Sequence, residues 1–248
     1  MNNDATENAN AERLLCAIDT VDLDAAVATA ASLKGLVGGI KLGLEFFTAH
    51  GPAGVAAIAD CGLPIFLDLK FFDIPNTVAG AIRGTSGMNP FMLTVHISGG
   101  PAMLRAAMAA SSRLAFQNDG KRPLVIGISV LTSFDEDDME AVGVRPGLAE
   151  QVHRLADMGL ANGLDGVVCS AHEILDLRRS FGDKLKLIVP GIRPAWSSAD
   201  DQKRIVTPAE ALRLGADYLV IGRPILRADD PPAAARRILD EMAGLSAP

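Results

Sequence analysis

Apolar segments typical of buried strands alternate with helix-like segments along the whole of the 248-residue chain. We count eight strand–helix pairs, whose predicted strands begin at Leu14, Gly39, Pro64, Phe91, Leu124, Gly166, Leu185 and Tyr218. Strict alternation of this kind predicts parallel strands joined by right-handed crossovers. Eight such units in about 250 residues match a closed (β/α)8 barrel of the TIM type. The sequence therefore predicts an α/β fold with a single barrel.

The alternative fold is a doubly wound open sheet, which is less favoured because no G-x-G-x-x-G follows the first strand. No linker separates the units, so we expect one barrel domain over residues 13–248, after a disordered or frayed N-terminal segment over residues 1–12. The parallel strands explain the plentiful Ala, Val, Leu and Ile, since such strands are buried on both faces. The domain organisation that follows is a single catalytic domain.

Several element boundaries are predicted from local signals. Asp22 is a suitable N-cap for a helix that runs to Leu33, and Gly51-Pro52 should interrupt the helix that follows the second strand. Further helices are expected over 148–161 and 208–214. Strands three, five and eight are expected over 64–69, 124–131 and 218–224.

Charge and cysteine content narrow the functional class. The net charge of −7 argues against nucleic acid as the main partner, although a local site can still attract an anion. The three cysteines are widely spaced and form no C-x-x-C pair, which is typical of reduced thiols in a cytosolic protein. No basic and apolar leader and no membrane-length apolar run is present in this sequence. We therefore expect a cytoplasmic protein without membrane contact.

The third predicted strand carries an unusual run of charges. Asp68 and Lys70 are two positions apart, so in a regular strand they point to the same face, and Asp73 follows just past the strand end. Pro75 then stops the strand and prepares a helix. Charges on a buried face are costly unless they are paired. The alternatives are a structural ion pair or a functional site, and three charges at one strand end favour the site.

Polar residues also mark the ends of the other predicted strands. In a barrel of this type, active sites lie at the carboxyl ends of the strands. The residues at those ends are Asp19, Lys41, Asp68, Lys70, His96, Thr132, Arg193 and Arg223. Each alone has an ordinary structural explanation, such as a buried histidine with its hydrogen bonds satisfied. Their common position on one rim predicts an active site.

The loops after strands seven and eight suggest a phosphate. Gly191-Ile192-Arg193 follows the seventh strand, and Gly222-Arg223 follows the eighth. These loops commonly bind phosphate in barrels through backbone N–H groups, and an arginine fork suits phosphate oxygens. The polar loop over 194–203 is long enough to fold over such a ligand.

Familiar cofactor and nucleophile motifs are missing from the sequence. The four histidines are scattered, and we find no H-E-x-x-H, no P-loop and no G-x-S-x-G. We therefore expect a reaction that needs no cofactor and no metal and uses Lys and Asp groups.

The segment Asp68–Thr77 reads D-L-K-F-F-D-I-P-N-T, which closely resembles the D-x-K-x-x-D-I-P-N-T signature of the orotidine 5′-phosphate decarboxylase family. The resemblance covers nearly the whole chain, including Lys41-Leu42-Gly43, Thr94-Val95-His96, Leu131-Thr132-Ser133, Pro190-Gly191-Ile192-Arg193, Asp201-Gln202-Lys203-Arg204 and Ile221-Gly222-Arg223-Pro224. One departure is Phe72, where many relatives carry His. We expect it to change packing near the site rather than the chemistry.

This resemblance implies a carboxy-lyase that converts orotidine 5′-phosphate to uridine 5′-phosphate and carbon dioxide, the last step of de novo pyrimidine synthesis. It implies that Lys70 protonates C6 and that Asp68 lies beside the substrate carboxylate. Lys41 and Asp73 would complete a Lys-Asp-Lys-Asp array. The implied ligands are Asp19 and Lys41 for the ribose hydroxyls, Thr132 for the pyrimidine, and Gln202 and Arg223 for the phosphate. Arg193 belongs to the same closing loop, and Arg193 and Gly222 are also expected to bind the substrate. It also implies a homodimer in which Asp73 and Thr77 come from the partner subunit.

Two other functions stay open on the sequence. A related barrel acting on a sugar phosphate through a metal-stabilised enediolate has a similar charged third strand, but Thr132 and Gln202 argue against it. A non-enzymatic nucleotide-binding barrel is the other, and the complete set of Lys and Asp residues argues against that.

Overall fold

The computed structural model describes residues 9–117, 120–145, 147–197 and 206–244. Its eight strands are hydrogen-bonded to one another in chain order as a closed barrel, β1 to β8. The strand pairs with defined register, such as β1 with β2 and β4 with β5, are all parallel. The predicted (β/α)8 fold is therefore confirmed, and the open-sheet alternative is excluded.

The strands are short, as expected for parallel strands in a barrel. Their bounds are β1 Leu14–Ile18, β2 Gly39–Leu42, β3 Ile65–Phe71, β4 Met92–His96, β5 Leu124–Ile128, β6 Gly166–Val168, β7 Lys186–Pro190 and β8 Tyr218–Ile221. Their residues are mostly apolar and buried, and all five residues of β1 are inaccessible to solvent or nearly so.

Helices follow the strands, with two helices after β5 and two after β8. Their bounds are α1 Leu23–Ser32, α2 Leu44–Ala59, α3 Pro75–Gly84, α4 Gly100–Leu114, α5 Glu136–Ala141, α6 Leu148–Ala161, α7 Ile174–Phe181, α8 Pro208–Leu214, α9 Arg223–Leu226 and α10 Pro231–Met242. Asp22 caps α1 as predicted, since its side chain accepts a hydrogen bond from the N–H of Ala25 at 3.0 Å. The predicted interruption of α2 is a kink at Gly51, whose φ is 55°.

The ends of β3, β5 and β8 differ from the sequence-based prediction, and β3, β4 and β7 begin one residue later than predicted. β3 continues past Leu69 to Phe71, and β5 ends at Ile128 rather than at Leu131. β8 ends at Ile221, so the predicted strand over 218–224 was wrong at its end, where Arg223 begins α9. Pro224 explains this end, because proline lacks the N–H that a ladder needs and suits the first turn of a helix.

The chain divides into two compact units. The first comprises Met1–Asp68 and Val189–Pro248, and the second comprises Leu69–Ile188. The first unit has a core that includes Leu14, Ile40, Phe46, Ile58, Leu219 and Ile238, all fully buried. The second has a core that includes Met92, Leu93, Leu104, Val125 and Val167.

Residues 9–13, which precede β1, are helical, so this helix overlaps the N-terminal segment that was expected to be frayed. The first eight residues lie outside the part of the chain that the structure describes.

In the ranges given above, no helix has the length and apolar character needed to span a membrane. Within the same ranges, no three His, Cys, Asp or Glu side chains are grouped to hold a metal ion.

Candidate active site

Lys41 lies between two carboxylates at the carboxyl ends of the first three strands. Its Nζ is 3.6 Å from Oδ1 of Asp19 and 3.4 Å from Oδ2 of Asp68. The side chains of Lys41 and Asp68 are 12% and 11% exposed, whereas that of Asp19 is 48% exposed. The three predicted residues therefore form one ion cluster, with its cation in the middle and one carboxylate open to solvent.

The register of the strands brings these residues together. Ala17 of β1 is opposite Lys41 of β2, and Asp19 follows directly after β1. On the other side, Leu42 is opposite Leu67, the residue before Asp68. Parallel strands in register bring their carboxyl ends to the same edge, so one charge from each strand reaches the same place.

Gly43 leaves room for this cluster. A Cβ atom at this position would lie 3.1 Å from Oδ1 of Asp19 and 3.1 Å from Nζ of Lys41. Contacts this short are tighter than ordinary van der Waals contact, so any side chain here would push the charged atoms apart. Gly43 also precedes the first residue of α2, which begins at Leu44.

The charges of Asp19 and Lys41 affect the pKa of a buried thiol, that of Cys16. Burial, and secondarily the negative charge of Asp19, raises the pKa of Cys16 to about 12, against the opposing effect of Lys41. Cys16 is thus a protonated, apolar-like residue of the core rather than a nucleophile. This agrees with the sequence-based expectation of reduced thiols packed as small hydrophobic side chains.

Lys70 has an uncommon backbone conformation within β3. Its φ is 51°, in the left-handed region that residues with a Cβ seldom adopt. Its N–H donates to Oγ1 of Thr94, a fully buried residue of β4, at 2.9 Å. The regular backbone angles assumed for this strand therefore do not hold at Lys70. Such conformations persist only where neighbouring contacts hold them, and they are common at functional sites.

The segment after β3 is exposed, including its apolar members. Phe72 and Ile74 are 60% and 67% exposed, and Asp73 and Thr77 are exposed as well. Oδ1 of Asp73 accepts the N–H of Ile74 at 2.6 Å. The ring of Phe72 packs on that of His96 at a centroid distance of 5.4 Å, tilted by 42°. Phe72 therefore makes a packing contact with His96 although most of its side chain is exposed.

A pocket of about 260 Å³ lies at the ends of β7 and β8. It is lined by Arg193, Trp196, Ser197, Arg223, Pro224, Arg227 and Ala228. Arg193 is buried, and its backbone N–H donates to the carbonyl of Val206 at 3.3 Å. Gly222 precedes α9 and is close to the strand β1, because a Cβ there would be 3.2 Å from the carbonyl oxygen of Ala17. Two of the predicted phosphate arginines thus line one pocket.

The structure says less about two other predicted substrate ligands, Thr132 and Gln202. Thr132 is exposed in a turn after β5. Gln202 lies outside the described residues, as do the other residues of the predicted closing loop after Ser197 and before Val206.

Sequence reasoning missed three residues near these groups. Thr94 appeared only within a longer matching segment, although a threonine in an otherwise apolar strand signals a specific hydrogen bond. Trp196 and Arg227 line the arginine pocket but were not predicted. Arg227 follows Arg223 by four residues, a spacing that places both on the same side of a helical turn.

Comparisons with known proteins identify the family of this chain. The family model described as "Orotidine 5'-phosphate decarboxylase / HUMPS family" matches residues 12–238. An orotidine 5'-phosphate decarboxylase of Rhodospirillum rubrum is 52% identical over 229 residues, covering 92% of this chain and 93% of the relative. One of Paramagnetospirillum magneticum is 50% identical over 226 residues, covering 91% of this chain and 96% of the relative.

A solved structure gives the same result. The crystal structure of orotidine 5'-phosphate decarboxylase from Lactobacillus acidophilus has a TM-score of 0.79 and 31% identity, covering 92% of this chain and 98% of that chain. The family expected from the D-x-K-x-x-D-I-P-N-T segment is confirmed by these matches, which extend over the strands, the ion cluster and the arginine pocket. The chain belongs to the orotidine 5′-phosphate decarboxylase / HUMPS family.

Proposed function

We propose that this protein decarboxylates orotidine 5′-phosphate to uridine 5′-phosphate without a cofactor, as the last step of pyrimidine nucleotide synthesis in the cytoplasm. The predicted enzyme class, a carboxy-lyase, is supported by the names of the curated relatives at 50% and 52% identity. The family name also covers a second activity, abbreviated HUMPS, but both of these relatives carry the decarboxylase name.

The observation that carries the proposal is the ion cluster of Asp19, Lys41 and Asp68. A purely structural pair gains little from a third, half-exposed carboxylate such as that of Asp19. A ligand with hydroxyl groups, by contrast, gains both an acceptor from Asp19 and a donor from Lys41. We assign the ribose hydroxyls to these two residues.

The chemical step needs a cation near the reacting carbon. The bond between C6 and the carboxylate breaks, carbon dioxide leaves, and the electron pair stays on C6. An ammonium group near C6 stabilises this carbanion more than it stabilises the starting carboxylate, which lowers the barrier. We assign this role to Lys70, which then donates its proton to C6 and regains one from solvent.

Asp68 and Asp73 complete the proposed Lys-Asp-Lys-Asp array with Lys41 and Lys70. Asp68 is held in place by Lys41 at 3.4 Å, so its carboxylate is fixed before substrate binds. We place the substrate carboxylate beside Asp68, where two negative charges repel each other in the ground state. Loss of carbon dioxide relieves this repulsion.

We assign the phosphate end of the substrate to the arginine pocket. Arg193 and Arg223 line it, and guanidinium groups bind phosphate oxygens in a fork geometry. We assign Gly222 and Gln202 to the same phosphate and Thr132 to the pyrimidine. Binding energy from this remote group helps to order the reacting end.

We further propose a homodimer in which Asp73 and Thr77 act in the partner's site. The segment that carries them exposes Phe72 and Ile74, two large apolar side chains. Adjacent exposed apolar side chains of this kind mark protein–protein contacts. A second copy that covers them brings Asp73 to a neighbouring site.

The direct test is an absorbance assay with purified protein and orotidine 5′-phosphate in the presence of EDTA. We expect loss of the substrate's ultraviolet absorbance and formation of uridine 5′-phosphate. An absence of turnover in EDTA, with activity on a sugar phosphate restored by Mg²⁺, would support the enediolate alternative instead. Tight binding of uridine 5′-phosphate without turnover would support a binding protein.

The role of Lys70 is tested by Lys70→Ala. We expect kcat to fall by about 10³-fold or more, because the variant loses both the cation and the proton donor. Lys184→Ala is a matched control, since Lys184 is exposed and far along the chain from the cluster. Retained activity in Lys70→Ala, with the control unchanged, would remove Lys70 from this role.

Shared sites are tested by mixing two inactive variants, Lys70→Ala and Asp73→Asn. In the mixed dimer one site combines the intact Lys70 of one subunit with the intact Asp73 of the other. Random pairing predicts recovery of about a quarter of the wild-type activity, because half the dimers are mixed and each has one intact site. A mixture as inactive as its two components would show that each subunit supplies its own Asp73. An Asp73→Asn variant that is active on its own would show that Asp73 is dispensable.

A further inference from the structure

A histidine on α2 reaches the loop that carries Asp19. Nε2 of His50 lies 3.0 Å from the backbone oxygen of Val21, which is 29 positions earlier in the chain. A carbonyl oxygen only accepts, so Nε2 carries the proton and His50 donates this hydrogen bond. Val21 lies in the short loop between β1 and α1, two residues after Asp19. The contact therefore ties α2 to the loop that presents one of the proposed ribose ligands.

The conformation of α2 fixes the place of this imidazole. The helix is kinked directly after His50, where Gly51 has a φ of 55° and Pro52 follows. The imidazole packs on the ring of the fully buried Phe46, with the two ring centroids 5.0 Å apart. Gly54 leaves space for it, because a Cβ there would lie only 2.3 Å from Cβ of His50. These contacts lie within α2, so they hold His50 in place before any ligand binds.

The ion pair with Lys41 holds Asp19 only weakly. Nζ of Lys41 is 3.6 Å from Oδ1 of Asp19, whose side chain is 48% exposed. An ion pair so open to solvent contributes little, so the carboxylate needs a further constraint to keep one position. Within the loop, the N–H of Asp22 donates to Oγ1 of Thr20 at 3.1 Å, and the side chain of Asp22 caps α1. His50 adds a bond from another element, at the residue between these two.

We propose that His50 is a positioning residue, whose hydrogen bond to the loop after β1 holds the Asp19 carboxylate where it accepts a hydrogen bond from a ribose hydroxyl. The proposal rests on the proposed function, in which Asp19 and Lys41 bind the ribose hydroxyls. It adds the residue that keeps Asp19 in place. A carboxylate that is fixed before binding loses less freedom when the ligand arrives, so its hydrogen bond contributes more to affinity.

A purely structural role for His50 predicts a different result. If this residue only completed the packing of α2, its loss would weaken the binding of all nucleotides to the same extent. If it positions Asp19, its loss affects nucleotides that carry ribose hydroxyls and leaves the others nearly unchanged. Uridine 5′-phosphate and 2′,3′-dideoxyuridine 5′-phosphate separate these two roles, because they share the base and the phosphate and differ only in the ribose hydroxyls.

The first test compares His50→Phe with the wild type. Phenylalanine keeps an aromatic ring against Phe46 and lacks the donor. We expect the Kd of uridine 5′-phosphate to rise about fivefold, and the Kd of the dideoxy nucleotide to change by less than about twofold. His50→Gln should recover much of the affinity, since its amide carries an N–H at a similar distance from the backbone. An equal loss for both nucleotides, or no loss for either, would overturn the proposal.

The matched control on the same helix is Thr48→Val. Oγ1 of Thr48 donates to the carbonyl of Leu44 at 2.8 Å, a bond within α2. Its removal should leave the ratio of the two Kd values at the wild-type level. His50→Asn gives a comparison that does not depend on the folding of His50→Phe, because it has the same amide as His50→Gln on a shorter side chain. We expect it to lose the discrimination between the two nucleotides, and a wild-type ratio in His50→Asn would contradict the proposal.

The second test measures the loop itself and needs no ligand. Hydrogen exchange in a peptide that covers residues 19–24 should be at least about threefold faster in His50→Phe than in the wild type, because the loop has lost a tether. Exchange in β2 should keep its wild-type rate, which shows that the barrel is intact. An unchanged rate in the loop would mean that His50 does not restrain it, and the positioning role would be wrong.

The two proposals fail in different ways. A wild-type protein that binds uridine 5′-phosphate but does not turn over orotidine 5′-phosphate would contradict the proposed function, and the ratio of Kd values in the His50 variants would then still decide the role of this residue. A wild-type enzyme with full activity, together with a His50→Phe variant of unchanged ratio, would contradict only the assignment of His50.

Discussion

Nζ of Lys41 lies 3.4 Å from Oδ2 of Asp68, and the side chains are 12% and 11% exposed. These side chains form a mostly buried ion pair at the edge of the barrel, in which the two opposite charges compensate each other. Taking two charges out of water is costly, and removing one partner leaves the other buried and uncompensated. The pair therefore serves stability as well as the proposed chemistry, and these two contributions are separable by mutation.

We predict that Lys41→Met lowers the free energy of unfolding by about 3 kcal/mol, because the mostly buried Asp68 loses the ammonium that lies 3.4 Å from its carboxylate. The double variant Lys41→Met, Asp68→Asn should recover part of this loss, since the remaining group is neutral. Urea denaturation of the wild type, both single variants and the double variant measures the coupling. Equal stability of Lys41→Met and the double variant would show that Asp68 carries no buried charge penalty. All three variants should be inactive.

The backbone of Lys70 gives a second prediction. With a φ of 51°, this residue pays the cost of a Cβ in the left-handed region, about 1–2 kcal/mol. Lys70→Gly should therefore be more stable than Lys70→Ala by about 1 kcal/mol in urea denaturation. At Lys34, which is exposed and lacks a positive φ, the order should reverse, so that Ala is more stable than Gly. The same order at both positions would show that Lys70 is not strained.

Removal of the Thr94 hydroxyl tests how that conformation is held. Thr94→Val keeps the shape of the side chain and removes the acceptor for the Lys70 N–H. We expect a loss of about 1–3 kcal/mol in unfolding free energy, because a buried N–H is left unsatisfied. Activity should fall with it, since Lys70 is no longer fixed. Unchanged kcat in a variant of lower stability would show that the bond serves only the fold.

An ion pair in the second unit offers a contrast between buried and exposed charges. Arg122 donates to both oxygens of Asp165 at 2.6 Å and 2.7 Å, and Asp165 also accepts the N–H of Val125 at 2.8 Å. The hydrogen bond to Asp165 is the main reason why the pKa of Arg122 is raised, against the opposing effect of burial. Asp165→Asn should cost about 2 kcal/mol of unfolding free energy, since it breaks a partly buried network.

The matched control for that pair is Glu140→Gln. Glu140 pairs with Arg145 at 2.8 Å, but the two side chains are 71% and 82% exposed. Surface pairs contribute little, so we expect a change of under about 0.5 kcal/mol. Similar losses in the two variants, measured by urea denaturation, would mean that burial does not govern the strength of these pairs. Neither variant should alter KM.

The cysteines give a prediction with a pH dependence. A pKa of about 12 keeps Cys16 protonated in the folded protein, whereas the ordinary value for a cysteine thiol is 9.0. The unfolded chain therefore loses this proton first as pH rises, so the contribution of Cys16 to stability is full below pH 9.0 and is lost as pH approaches 12.

The burial of Cys16 also predicts the order in which the thiols react. Native protein at pH 8 should react with a thiol reagent at the part-buried Cys61 before Cys16. Labelling of Cys16 at the same rate, located by peptide mass, would contradict this.

Much of the fold was predictable because local signals agreed with the tertiary structure. The helix α6 has the bounds expected from its apolar period, and Asp22 caps α1 as its position before an Ala-rich helix indicated. The ion cluster was also predictable in outline. Charges at the ends of neighbouring parallel strands meet at one edge, whatever the exact length of each strand.

Other features depended on contacts that no local pattern contains. The two-residue period of a strand assumes regular backbone angles, and Lys70 departs from them because Thr94, in the next strand, accepts its N–H. Trp196 acquires its orientation from Arg237, which is 41 positions later (237 − 196) on another helix. Such contacts can be identified only from the tertiary structure, because the two residues lie on different elements.

Gly43 has a consequence for anyone who wishes to redesign this enzyme. An added methyl group there would meet an ammonium and a carboxylate at 3.1 Å each, so even the smallest enlargement makes one of these charged atoms move by a few tenths of an ångström. Libraries that aim at new substrates should keep this position fixed and diversify the turn that carries the exposed Thr132. The smallest residue of the loop thus limits how far the chemistry can be altered.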